Sequence, residues 1–118
     1  MTKKILVLAP HTDDVELGCG GYVSKLVEEG NTVYYAAFSI CENAVTSGYP
    51  ENILEVEVKK STKVLGIKEK NLFIYKFEVR QFPRLRQDIL EKLIGFRNRL
   101  KPDLVLMDVM MPVMDGYE

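Results

Sequence analysis

The chain has 118 residues, 47% hydrophobic and 28% charged, which suits one globular domain with a sizeable core. Its formal net charge of −1 removes the electrostatic case for a nucleic-acid partner or an anionic membrane surface. No apolar run approaches the roughly 18 residues of a membrane span. The run after Met1-Thr2-Lys3-Lys4 stops at Pro10 without a small-residue cleavage site, so a buried first strand is expected rather than a signal peptide. Two cysteines, Cys19 and Cys41, do not make a disulfide framework, and a reducing cytoplasmic setting is expected.

The predicted elements alternate. Ile5 to Leu8 is continuously apolar, as a strand covered on both faces should be. A helix follows from about Val15 to Glu29, with Val23, Leu26 and Val27 on one face and Gly30 as its stop. Thr32 to Phe38, β-branched and aromatic, is a second strand, and Ser39 to Pro50 reads as a loop. A second helix runs to Leu65, with Leu54, Val58 and Leu65 at helical spacing and Gly66 closing it. Leu72 to Tyr75 is a third strand. Pro83 is expected to open a third helix, whose stripe is Leu85, Ile89, Leu93, Phe96 and Leu100. Pro102 ends that helix, and Leu104 to Met107 is a fourth buried strand. The order β-α-β-α-β-α-β predicts one three-layer, Rossmann-like α/β domain: a doubly wound parallel sheet of four strands, order 3-2-1-4.

The chemistry concentrates where the first strand turns into the first helix, in Pro10-His11-Thr12-Asp13-Asp14-Val15-Glu16 with Gly18, Gly20 and Gly21 behind it. Carboxyl ends of strands are where open α/β sheets hold their ligands. The only histidine of the chain, His11, and the nearby Asp14 supply two of the three protein ligands that a catalytic zinc takes. Asp13 is placed to act as general base toward a water that the metal activates. The same residues also admit a purely structural reading, in which Asp13 and Glu16 form a capping box and His11 is a loop residue. The glycines do not spell G-x-G-x-x-G, so no dinucleotide site is indicated.

The motif resembles the signature of the LmbE/PIG-L family of zinc-dependent deacetylases, and the likeness continues through Ser61-Thr62-Lys63-Val64-Leu65-Gly66-Ile67 to Lys101-Pro102-Asp103-Leu104-Val105, covering residues 1 to about 105. The resemblance implies removal of acetyl groups from N-acetylglucosamine-type conjugates. It implies zinc on His11 and Asp14, with Asp13 as base. The family's third ligand is a histidine just beyond the fourth strand, where this chain has no histidine, and the family's later strands are absent.

What stands there instead, residues 102–118 with Asp108-Val109-Met110-Met111-Pro112, resembles the phosphorylation-site strand of response-regulator receiver domains, with Asp108 at the phosphoacceptor position. The receiver's acidic pair after the first strand is missing, because Ala9-Pro10 occupies that place. The chain therefore reads as a deacetylase-like part joined to a receiver-like strand and tail. Strand order 3-2-1-4 would make strands one and four neighbours and bring Asp108 near His11 and Asp14. A carboxylate is an acceptable replacement ligand, though manganese or magnesium would then compete with zinc.

Three functional readings follow: a truncated or chimeric deacetylase-type hydrolase, a non-catalytic α/β scaffold, and a receiver-like phosphoacceptor at Asp108. The basic residues Arg84, Arg86, Lys92, Arg97, Arg99 and Lys101 are expected on a solvated helix face, with Asp88 and Glu91 interleaved. Glu78, Arg80 and Gln81 need be no more than a polar loop, although sugar contact is open to them. Met107, Met110, Met111 and Met114 are expected to pack rather than bind metal. Strand four, left at an edge, is expected to pair with a second copy of the chain.

Overall fold

The computed structural model describes residues 2–9, 14–39, 48–50, 53–77, 81 and 84–107, with the backbone alone for 14–19. The elements are β1 (Lys4–Ala9), α1 (Asp14–Glu28), β2 (Thr32–Ala37), α2 (Ile53–Leu65), a 3-10 turn (Glu69–Asn71), β3 (Leu72–Ile74), α3 (Arg86–Leu100) and β4 (Leu104–Met107). All strand pairs are parallel and the sheet order is β3-β2-β1-β4, as the βα alternation predicts. β1 and β2 lie inside the sheet, and Ile5 to Ala9 are buried on both faces, which is why that run is apolar without alternation.

Two cores follow from the strand period of two. On one face Ile5, Val7 and Ala9 of β1 meet Val23 and Leu26 of α1 and Val58 of α2. On the other, Leu6 and Leu8 meet Ile89 and Phe96 of α3. The second core is aromatic: Phe73 lies 5.1 Å from Phe96, and Phe38 stacks on Tyr75 at 5.7 Å. The predicted stripe of α3 is thus its buried face, and the six basic residues that flank it are exposed. Among them Lys92 sits over the Tyr75 ring and Arg99 over Phe96.

Helix ends are set by backbone geometry. Gly30, at φ +90°, closes α1 with Gly30 N–H donating to Val27 and Asn31 N–H donating to Leu26. Gly66, at φ +89°, repeats the arrangement on α2, its N–H donating to Lys63 and that of Ile67 to Thr62. Both are Schellman closures, which require a left-handed residue at that point. α3 ends differently: Lys101 takes φ 48° and gives one bond to Arg97, and Pro102 prevents further helix.

Two expectations need correction. α3 begins at Arg86, not at Pro83; Leu85 holds a turn conformation (φ −94°, ψ 13°) and its N–H donates to the Gln81 carbonyl. Pro83 itself is outside the described residues. β4 is not buried: Leu104 is 36% and Val105 45% exposed, because β4 is the sheet edge and no described helix packs over those two residues. Strand limits differ by one residue from expectation, although Phe38 N–H still bonds Ala9 and Tyr75 N–H still bonds Ala37. No helix among the described residues is long and apolar enough to cross a membrane.

Candidate functional site

The crevice is built from strand ends. β1 ends at Ala9 and α1 starts at Asp14, so the motif residues 10–13 are the connection between a buried central strand and a helix amino terminus. A carboxylate in the first turn of a helix suits the partial positive charge there. β4 runs alongside β1 with Leu8 opposite Met107. The chain therefore leaves β4, toward Asp108, one residue past a position paired with β1, and leaves β1 toward His11 from the same end of the sheet. This adjacency is the one on which the replacement of a missing ligand by Asp108 depends.

His11, Asp13 and Asp108 lie outside the described residues, and of Asp14 only the backbone is described, as the first residue of α1. Cys41, Glu78, Arg80, Met110, Met111 and Met114 also lie outside them. Among the described residues no three His, Cys, Asp or Glu side chains come together as a metal cluster. The donor chemistry of His11 with Asp14, one imidazole and one carboxylate, matches what zinc accepts.

Ser39, expected in a loop, is buried at 2% exposure two residues past β2, beyond the end of the strand adjacent to β1 and at the same end of the sheet as the motif. Its burial carries no periodic signal, since it follows the strand rather than belonging to it. Met107 packs into the α3-side core, in keeping with a packing role. Gln81 contributes its carbonyl to the turn before α3. Tyr75, at the carboxyl end of β3, has its hydroxyl pKa raised by burial, with Arg99 opposing the shift. It lies two strands away from β1.

An open cavity of about 460 Å³ lies at the other end of the sheet, where Thr32 and Val33 begin β2 and Lys68 and Lys70 flank it. The strand-end motif and this cavity therefore belong to opposite ends of the domain.

Comparison with known proteins agrees with the motif. The profile of the PIG-L family, GlcNAc-PI de-N-acetylase, matches residues 6–114. That match runs through most of the stretch resembling a receiver strand, and nothing in the comparisons supports a receiver-like segment. Diacetylchitobiose deacetylase of Thermococcus kodakarensis is 28% identical over 110 residues, which are 89% of this chain and 40% of that protein. The fold superposes on N,N'-diacetylchitobiose deacetylase from Pyrococcus horikoshii with a TM-score of 0.81 at 24% identity, covering 94% of this chain and 45% of that one. It superposes on a conserved protein from Thermus thermophilus with a TM-score of 0.69 at 31% identity, covering 88% and 45%. The chain thus spans less than half the length of these relatives. With a profile match over residues 6–114 and a four-stranded sheet of matching fold, the chain belongs to the PIG-L family of de-N-acetylases.

Proposed function

We propose that the chain carries the amino-terminal part of a zinc-dependent deacetylase site that acts on N-acetylated sugar conjugates. The observation that carries this reading is the position of the Pro10-His11-Thr12-Asp13-Asp14 motif at the carboxyl end of β1, in a chain whose relatives include a diacetylchitobiose deacetylase. His11 and Asp14 are the ligands from this segment, and Asp108, following a strand paired with β1, takes the place of the missing histidine. His11, Asp14 and Asp108 would hold the zinc, which when bound would supply Lewis acidity and lower the pKa of a water toward about 7. Asp13 would take a proton from the water as its oxygen adds to the amide carbon, and return it to the nitrogen as the C–N bond breaks, giving acetate and the free amine. Two carboxylates and one imidazole bind zinc with less selectivity than a histidine-rich set, so manganese competes.

The exposed apolar edge of β4 supports a homo-oligomer in which that edge is covered by a second copy. The test is acetate release from N,N'-diacetylchitobiose in the presence of zinc. The other outcome the test can return is a scaffold without activity. Release that Asp13→Asn abolishes supports the hydrolase, and no release from a zinc-loaded protein supports the scaffold.

A further inference from the structure

We infer that Asp103 is a positioning residue, setting the register of β4 on β1 and thereby delivering the residues after Met107 to the carboxyl end of β1; this rests on the deacetylase reading for its consequence at the site, but not for the register itself. The start of β1 is held from both sides by side-chain acceptors. Lys3 N–H donates to Asn31 Oδ1 at 2.9 Å on the β2 side, and Lys4 N–H donates to Asp103 Oδ2 at 2.8 Å on the β4 side. Asp103 N–H returns a bond to the Lys4 carbonyl at 2.7 Å, so the two residues are joined twice across 99 positions of sequence.

The side chains of β4 cannot choose this register by themselves. Register is ordinarily enforced because a slip of one residue moves apolar side chains to the solvent face. Here all four β4 residues are apolar, Leu106 packs on one face and Met107 on the other, and Leu104 and Val105 are exposed. A slip that brings Val105 opposite Val7 and Leu106 opposite Leu8 exchanges one apolar side chain for another and loses little burial; only the opposite slip, which would set Asp108 opposite Leu8 in place of Met107, is opposed by the side chains themselves. The covalent lead-in narrows the choice, since the left-handed Lys101 and Pro102 turn the chain out of α3. The two hydrogen bonds between Asp103 and Lys4 then settle it, with Leu104 opposite Ile5 and Met107 opposite Leu8.

The experiment compares the full chain with Asp103→Ala, Asp103→Asn and Asp103→Glu. Cross-strand amide contacts between Leu8 and Met107 are followed by NMR, with hydrogen exchange of the β4 amides and a cobalt(II) titration. Asp103→Ala is expected to lose the Leu8–Met107 contact, and its β4 amides to exchange roughly tenfold faster, as for one charge-assisted bond removed. Its cobalt affinity is expected to fall by a similar factor. Asp103→Asn, which keeps an acceptor oxygen in place, restores all three readouts. Asp103→Glu keeps the charge but displaces the acceptor, so it behaves as alanine does and carries the test if the alanine variant does not fold. An unchanged Leu8–Met107 contact in both Asp103→Ala and Asp103→Glu overturns the inference. Should the unaltered chain bind no cobalt while the contact still shifts in Asp103→Ala, the register role stands and the deacetylase reading falls.

Discussion

Replacing Gly66 with alanine separates two costs that the structure places on one atom. Gly66 closes α2 at φ +89°, and a Cβ built there would stand 2.8 Å from Val27 Cγ1 and 3.7 Å from Val27 Cβ. Gly30 closes α1 at nearly the same angle, φ +90°, but its Cβ would meet only Thr2 Cγ2 at 3.9 Å. A left-handed residue with a Cβ costs about 1–2 kcal/mol. Alanine recovers roughly 0.4–1 kcal/mol by restricting the unfolded chain. Gly30→Ala should therefore destabilise by about 1 kcal/mol. Gly66→Ala adds the crowding of Val27, about 1–3 kcal/mol for overpacking, so its total is roughly 2–4 kcal/mol. Urea unfolding reads this directly; with a slope of about 1–3 kcal/mol/M the midpoint falls by on the order of 1 M. Val27→Ala removes the Cγ1 atom and leaves an ordinary contact at 3.7 Å. In that background Gly66→Ala should cost no more than Gly30→Ala does. Equal costs for the two glycines in the unaltered chain, or no coupling between positions 27 and 66, would mean that Val27 does not crowd position 66.

Further consequences concern the α3 face and the edge strand. Burial raises the Tyr75 pKa above its ordinary 10.0, so the native state holds its proton longer than the unfolded chain does. The resulting stability is present below pH 10 and is lost as pH rises through the folded value, so chemical denaturation at rising alkaline pH should show a steeper decline for the unaltered protein than for Tyr75→Phe. Gly95 lies inside α3 with nothing within 4 Å of its added Cβ, and Gly95→Ala should stabilise by about 0.5–1 kcal/mol in the same urea assay. Val105→Lys places a charge on the exposed edge strand; light scattering at micromolar concentration should show an oligomer for the unaltered chain and a monomer for the variant.

Much of the fold was legible because burial on both faces leaves an unbroken apolar run, as in Ile5 to Leu8, and because Gly30 and Gly66 are residues that left-handed closures demand. The stripe of α3 was legible for the same kind of reason, since Ile89 and Phe96 are its buried anchors. Its start was not: a proline marks a first turn only if the next residues continue as helix, and Leu85 does not. The exposure of β4 was illegible because Leu104 and Val105 have the composition of a covered strand, and only the packing partners decide whether it is covered. Lys101 shows the same limit at a single residue, because nothing about a lysine announces φ 48°. The candidate site was read from the motif and its position between β1 and α1, whereas buried Ser39 gave no signal. The role of Asp103 depends on a bond across 99 positions, which no local pattern records.

The proposed function requires that His11 and Asp14 belong to a metal site that this chain can complete. Calorimetric titration of the metal-free protein with zinc, run beside His11→Ala, decides the point. Tight, stoichiometric binding in the unaltered chain that disappears in His11→Ala is the predicted result. Absence of binding in the unaltered chain, or binding that His11→Ala leaves unchanged, would contradict it.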